Sequence, residues 1–554
     1  MLQTHHRAVV AAVACSAFVS SAAFAQQAKN VILMISDGAG DTTWQAANQF
    51  QFGTNAGTSD AFRQQYESAA FTQHWMTAFP GYTQPLPPST NLGFGPIGLL
   101  PSLYNEIPNF PGPGSYNVAA ANDMTAGVPV RTLGTPAELG RGTTVPLTVN
   151  TANAPQFQAV AAAFAGEFDV TEIQGFAAYD YLTNQSITDS AAAGTALASG
   201  TKTYNTAINV GLDETPVEFI TQQMVAAGKK AGVVSTKTFT DATPAAFGTQ
   251  NIDRNAEAEI SNDMIRNGLL DVIISPGHPE FGSGGVPRTT PDYDTVSEAN
   301  LNALRGGLDG WSFVDDNTQL NAIANGTQAA PDRLFGLVPV DSQLHSRDTT
   351  GRTNAFDPRV FDPSDPNGAV PFVMPDLDVL SRAAIETLEQ DDDGFFLMVE
   401  NGSVDSAAHA NDLPRMVEEQ LSFNRSVDAV IDWIETESSW DETLLIITTD
   451  HANGLFLGND SATEYFDAPD AVAEGELPEG IWWSTEHTNE LIPLWSRGPG
   501  SELFSDFLST EVDDRRGQFI DNTNVYSVMS TVIPEPTTAS LLAIAGVSVL
   551  RRRR

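Results

Sequence analysis

Short, almost uninterrupted apolar runs recur along the chain at Asn30–Ser36, Ala231–Ser235, Leu270–Ser275, Phe395–Val399 and Leu444–Thr448. They do not alternate with polar residues, which is the pattern of strands covered on both faces. Between them the apolar period lengthens. From about Pro414 to Ile434, the residues Val417, Leu421, Val427, Ile431 and Ile434 fall on one side of a helix. From Asp376 to Leu388, Leu377, Leu380, Ala384 and Leu388 do the same. Strands alternating with helices predict an α/β fold with a large, mostly parallel central sheet flanked by helices on both faces.

Two stretches interrupt the alternation. From about Phe79 to Ala154, prolines and glycines crowd together, as in Pro85-Leu-Pro-Pro-Ser and Pro108-Asn-Phe-Pro-Gly-Pro-Gly. A second loop-rich insertion is expected from Gly282 to about Pro375. Both read as surface excursions from one domain spanning 26–530.

The ends of the chain differ from this body. His5, His6 and Arg7 precede an apolar run from Ala8, and Ala23-Phe24-Ala25 fits signal cleavage, so 1–25 reads as a signal peptide. The single cysteine, Cys15, lies inside it. The exported chain would then carry neither disulfides nor thiolate ligands, and a zinc site would use His, Asp and Glu. At the other end, over 533–554, Pro534-Glu535-Pro536 is followed by an apolar stretch from Thr537 to Leu550 and then Arg551–Arg554. That order of parts resembles the PEP-CTERM sorting signal. The resemblance implies processing by exosortase-type machinery and a periplasmic, surface or matrix destination in a Gram-negative type of bacterium.

Charge narrows the partners. The formal net charge is −42, from 69 acidic and 27 basic side chains. Such a chain repels nucleic acid and anionic membranes, so no nucleic-acid partner is expected. An anionic substrate would need cations gathered locally, which makes bound metals an expectation.

Ligands in open α/β sheets lie beyond the carboxyl ends of strands. Asp37-Gly38 follows the first run, and Asp241-Ala242-Thr243 follows the second. Glu400, Asp405 and His409 follow the run at Phe395, and Thr449-Asp450-His451 follows the last. One such acid is as readily a helix cap. Four strand ends together are harder to explain that way. Asp405 and His409 lie one helical turn apart, so both can face one cation. Nitrogen and oxygen donors without sulfur suit Zn2+, with harder oxygen sites left for Mg2+. Ser190 opens a run of small residues that reads as a helix start. As a cap it would be structural; beside Zn2+ it would be a nucleophile at an anion-binding helix N-terminus.

The combined pattern resembles the alkaline phosphatase family over most of the chain from Lys29 to Pro499, interrupted by the insertions. The motifs that carry it are Asn30 to Asp37-Gly38, Thr188-Asp189-Ser190-Ala-Ala, Asp241-Ala-Thr243-Pro-Ala-Ala, Glu400 through Asp405 to His409, Thr449-Asp450-His451 and Glu486-His487-Thr488. The resemblance implies two Zn2+ and one Mg2+. Asp405, His409 and His487 would ligate one Zn2+, and Asp37, Asp450 and His451 the other. Asp37 would bridge to a Mg2+ held by Thr243 and Glu400, with Asp241 orienting a magnesium-bound water. Arg254, eleven residues beyond Thr243, would bind phosphate in a bidentate fork held by Asp189. The implied activity is hydrolysis of small phosphate monoesters through a phosphoserine at Ser190, and a homodimer is left open.

Three positions depart from the family pattern. Ser36 and Asn401 stand where glycine is usual, with the expectation that they tighten the backbone beside metal ligands. Ser406 stands where lysine, histidine or tryptophan is common, which bears on rate, pH optimum and phosphate affinity rather than on reaction class. Two other readings stay in view: a phosphodiesterase on the same scaffold, and a catalytically silent, metal-stabilised surface or matrix protein.

Overall fold

The computed structural model describes residues 27–80, 187–344, 375–461, 467–513 and 515–533. The expected signal peptide, the expected insertion beyond Pro80, residues 345–374 of the second expected insertion and the C-terminal sorting segment from Pro534 onward lie outside the described residues.

In chain order the strands are β1 Asn30–Ser36, β2 Thr72–Thr77, β3 Lys230–Ser235, β4 Val272–Ser275, β5 Ser312–Val314, β6 Leu334–Leu337, β7 Phe395–Asn401, β8 Thr443–Thr448, β9 Ala452–Asn453, β10 Phe456–Leu457, β11 Ile481–Trp482, β12 His487–Thr488, β13 Ile492–Arg497, β14 Val512–Asp513 and β15 Gly517–Asp521. The α-helices are α1 Asp41–Phe52, α2 Ser190–Ser199, α3 Ile220–Ala226, α4 Ala242–Ala246, α5 Glu257–Arg266, α6 Glu298–Arg305, α7 Asn317–Ala324, α8 Leu377–Leu388, α9 Ser403–His409, α10 Leu413–Glu437 and α11 Thr523–Val532.

Among the described residues, eleven strands form one sheet in the order β14-β15-β2-β13-β8-β1-β7-β3-β4-β6-β5. From β8 to β5 every neighbouring pair is parallel. β13 runs antiparallel to both β8 and β2. The result is a mostly parallel sheet with a mixed edge, as the near-continuous apolar runs predicted.

The runs are apolar throughout because each strand feeds two cores. Val31, Leu33 and Ile35 of β1 pack with Leu197 of α2, Met224 of α3, Ala246 of α4, Met264 of α5 and Met529 of α11. Ile32 and Met34 point the other way, toward Trp44 of α1, Leu320 of α7, Leu380 of α8 and Val427 of α10. All of these side chains are buried, so helices cover both faces of the sheet and the layers are three.

The segment expected as a loop-rich insertion from Gly282 differs from that expectation. Its described part contains α6, β5, α7 and β6, and it completes one edge of the main sheet. Each element buries a few apolar side chains, such as Leu301 and Leu304, Leu320 and Ile323, or Leu334, Phe335 and Leu337. Runs this short give periodicity too few repeats to register. β7 also extends past the expected Val399 to Asn401, because Glu400 continues the ladder opposite both Ile35 and Ser235. Among the described residues, no helix is long and apolar enough to cross a membrane.

Candidate active site

The strands that carry the candidate ligands are neighbours at the sheet centre, in the order β8-β1-β7-β3. Their carboxyl ends therefore open onto one edge, and the chain crowds there. Gly38, at φ +71°, passes so close to Asp405 that an added Cβ would lie 2.8 Å from both its Cα and its Oδ1. Only glycine combines that left-handed backbone with that approach.

Ser190 begins α2 but does not cap it. Asp189 is the N-cap, its Oδ1 accepting from Ala192 N at 2.9 Å. The serine hydroxyl is left free for another partner, and Oγ lies 3.2 Å from His451 Nε2. Ser190 is buried, and it stands at the positive end of the helix dipole.

Around this serine lie two groups of side chains with metal-ligand spacing, Asp37 with Asp450 and His451, and Asp405 with His451 and His487. In the first, His451 Nε2 is 3.1 Å from Asp450 Oδ2 and 3.6 Å from Asp37 Oδ1. Asp450 Oδ1 is already engaged by the backbone N–H groups of His451 and Gly38. Asp37 Oδ1 and Asp450 Oδ2 are buried without a hydrogen-bond partner. In the second group, His487 Nε2 lies 3.4 Å from Asp405 Oδ1. His409 Nε2 lies 3.5 Å from Asp405 Oδ2 and 3.2 Å from His487 Nε2. The edge of a tetrahedron with ligands ~2.0–2.1 Å from a Zn2+ is about 3.4 Å, so these spacings fit such an ion. His451 links the groups, its ring stacked on that of His487 with centroids 3.6 Å apart.

The groups around these donors fix them in place. His409 Nδ1 donates to the carbonyl of Thr485 at 2.6 Å, and His487 Nδ1 to that of Thr188 at 2.7 Å. Each imidazole thereby keeps its Nε2 lone pair for the cluster. Asn453 Nδ2 donates to Asp405 Oδ1 at 2.7 Å.

Glu400 lies close enough to Asp37 to act on its carboxyl, and Thr243 lies in α4, two residues beyond Asp241. Thr243 Oγ1 and Glu400 Oε1 are both buried and without a hydrogen-bond partner, while Glu400 Oε2 accepts from Ser235 Oγ. Oxygen donors left open in a buried site fit a hard divalent cation.

Charge is unevenly distributed in this centre. Burial, with Asp450, Asp405 and Glu400 nearby, holds the Asp37 carboxyl well above the usual carboxylate range. Burial also pushes Glu400 up to about 8, and Asp241 and Asp450 add to it against the Ser235 hydrogen bond. Burial acts on Asp405 in the same sense, but His409, His487 and His451 outweigh it and hold that carboxyl well below its ordinary value.

Arg254 lies beside these acids. Its NH1 reaches Asp189 Oδ2 at 3.1 Å and its NH2 reaches Asp241 Oδ1 at 3.0 Å. The fork thus joins the N-cap of α2 to the N-cap of α4, whose Asp241 Oδ1 also accepts from Ala242 N. Lys237 approaches Asp241 from the other side, Nζ to Oδ2 at 3.5 Å. Sequence spacing did not single out Lys237, because it lies between motifs. Its only signal is position, two residues beyond β3.

The structure brings Ser190, Asp37, Asp450, His451, Asp405, His409 and His487 together here, with Asp189, Arg254 and Asp241 joined beside them. Two of the unusual positions behave differently from expectation. Ser36 Oγ donates to Gln420 Oε1 of α10 at 2.7 Å, and Asn401 Nδ2 donates to Glu419 O at 2.8 Å. These side chains anchor strand ends to α10 through buried hydrogen bonds, where the pleat points them away from the ligands.

Comparison with known proteins follows the same lines. The family model described as alkaline phosphatase matches residues 162–474. Alkaline phosphatase 3 of Bacillus subtilis is 30% identical over 296 residues, 52% of this chain and 54% of that protein. Alkaline phosphatase of Escherichia coli is 30% identical over 282 residues, 48% of this chain and 58% of that protein. The chain thus spans little more than half the length of these two relatives. A cold-active alkaline phosphatase from a psychrophilic Shewanella has the same fold, with a TM-score of 0.55 at 20% identity, covering 91% of this chain and 100% of that one. Asp37 and His487 lie outside the segment matched by the family model, yet the fold returns both to the centre built by the segment inside it. With the match covering more than half of its residues, this chain belongs to the alkaline phosphatase family.

Proposed function

We propose that this protein is an exported, metal-dependent phosphomonoesterase that hydrolyses small phosphate monoesters through a phosphoserine at Ser190. The observation that carries the reading is the placement of Ser190 Oγ, 3.2 Å from His451 Nε2, beside the unpartnered oxygens of Asp37 and Asp450. A buried hydroxyl at a helix N-terminus, facing acids that lack partners, is arranged for cations and a phosphate together.

Asp405, His409 and His487 would hold one Zn2+, Asp37, Asp450 and His451 a second, and Asp37, Thr243 and Glu400 a Mg2+. Cations at such positions supply Lewis-acid stabilisation of charge on phosphoryl oxygens and lower the pKa of bound water. Ser190 Oγ loses its hydroxyl proton to solvent and attacks phosphorus in line, forming the Oγ–P bond as the bond to the leaving alkoxide breaks, and the alkoxide takes up a proton from solvent to depart as the alcohol. Water then cleaves the Oγ–P bond, which releases inorganic phosphate and restores the serine hydroxyl. Arg254 binds two phosphoryl oxygens, and Asp189 and Asp241 set its fork. A monoester dianion offers the charge this arrangement compensates, and a diester offers less.

Export rests on the N-terminal leader, and surface or matrix delivery on recognition of the Pro534-Glu535-Pro536 segment by exosortase-type machinery. The activity test is hydrolysis of p-nitrophenyl phosphate at alkaline pH, with and without EDTA, then with Zn2+ and Mg2+ restored. Activity lost on chelation and regained with metal is expected. Inactivity of folded, metal-restored protein rejects the reading.

A further inference from the structure

Lys237 lies in the site without a role in the scheme above. It follows β3, and its backbone N–H donates to Ser235 Oγ at 2.9 Å. That same hydroxyl holds Glu400. Its side chain runs past Gly402, where any Cβ would overlap its Cγ. The absence of a side chain at 402 therefore makes the slot through which the lysine stem reaches the centre.

At the end of this slot the ammonium is bracketed. Nζ donates to Ser406 Oγ at 3.2 Å and faces Asp241 Oδ2 at 3.5 Å. Ser406 is held in turn, since its Oγ also accepts from Gln343 Nε2 at 3.1 Å, and Gln343 pairs with the Lys237 backbone in an isolated β-bridge. Asp241 is shared: one oxygen faces Lys237 and the other receives Arg254 NH2. A chain of contacts therefore runs from Ser406 through Lys237, Asp241 and Arg254 to Asp189, which is the residue before Ser190.

We propose that Lys237 is a positioning residue for the phosphate group: by occupying Asp241 Oδ2 it confines Arg254 to Asp241 Oδ1 and so orients the guanidinium fork beside Ser190. Without an ammonium there, Asp241 Oδ2 is left open, and the guanidinium, held then by Asp189 and one oxygen of Asp241, can pivot toward it. The ammonium also sets a permanent positive charge among Asp37, Glu400 and Asp405, where a dianion must be received. This inference rests on the phosphomonoesterase reading and assigns to it a residue supplied by the β3–α4 connection.

The test measures inorganic phosphate as a competitive inhibitor, together with kcat and KM on p-nitrophenyl phosphate, for the metal-restored wild type, Lys237→Met, Lys237→Arg and the double variant Lys237→Met with Ser406→Lys. Thermal unfolding of each checks folding. Lys237→Met is expected to raise the phosphate Ki and KM about 10-fold, the scale of one charge-assisted hydrogen bond, with a smaller change in kcat. Either restored ammonium or guanidinium is expected to recover part of that loss. Phosphate affinity in folded Lys237→Met equal to that of an active wild type overturns the role of Lys237 and leaves the function intact. A loss that neither Lys237→Arg nor the double variant relieves also overturns it, in favour of packing alone. A wild type that neither turns over the ester nor binds phosphate overturns the functional reading and this inference with it.

Discussion

His409 and His487 hold their Nε2 atoms 3.2 Å apart, each with its Nδ1 hydrogen given to a backbone carbonyl. With both imidazoles neutral, as metal ligation requires, two lone pairs facing each other at that distance repel, and Asp405 adds a carboxylate to the same point. A cation between them converts the repulsion into three bonds. Chelation is therefore expected to lower the midpoint of thermal unfolding by several degrees. Binding at a thousand times Kd stabilises by about 4 kcal/mol. Calorimetry with EDTA and then with Zn2+ restored checks this, and unchanged unfolding on metal removal would contradict it.

Gly38→Ala is expected to damage the same point without touching a ligand. The substitution places a methyl 2.8 Å from Asp405 Cα on a backbone at φ +71°. The left-handed conformation alone costs about 1–2 kcal/mol, and relief of the clash must displace Asp405. Weaker Zn2+ binding by titration calorimetry, with reduced stability, is the expected outcome; wild-type metal affinity would show that Asp405 is not a ligand.

Arg254→Ala removes a guanidinium shared by Asp189 and Asp241. KM and phosphate Ki are expected to rise about 10–100-fold, as for loss of charge-assisted hydrogen bonds. Arg254→Lys should recover little, because an ammonium cannot reproduce the planar fork. Steady-state kinetics with phosphate inhibition decide it.

Glu490 supplies a pH dependence separate from catalysis. It is buried, both its carboxylate oxygens lack a hydrogen-bond partner, and burial pushes it up to about 8, with Arg516 opposing and Asp41 adding to the shift. The folded state then binds a proton that the unfolded chain, at the ordinary value of 4.5, has released. Its contribution is favourable below pH 4.5 and is lost as pH rises toward about 8. Glu490→Gln is expected to flatten the decline of stability across that window, by the order of a few kcal/mol at its upper end. Denaturant unfolding at several pH values with metals present checks it, and parallel profiles for the two proteins would contradict it.

The ease with which this protein is read from its sequence varies by element. β1 is found with both its ends because Asn30–Ser36 is buried on two faces and closes at Asp37. β2 escaped because Gln73 and His74 break its apolar run and it pairs with β13, more than four hundred residues away. β5 and β6 escaped because they are short and lie among turns. Most of the candidate ligands were legible because they follow strand ends in compact motifs, while His487 lies within β12. Asp189 as N-cap in place of Ser190 was not, since either side chain can cap a helix and only the fold shows which one turns back. Lys237 was invisible because its meaning depends on Ser406 arriving from another segment to bracket it against Asp241.

The most direct test of the central claim is to quench the metal-restored enzyme in acid during turnover of p-nitrophenyl phosphate and map the modified peptide by mass spectrometry. A phosphoryl group on Ser190 is the expected result, absent from an inactive Ser190→Ala variant that still binds Zn2+. Undiminished turnover in Ser190→Ala, or a phosphoryl group on another side chain, would contradict the account.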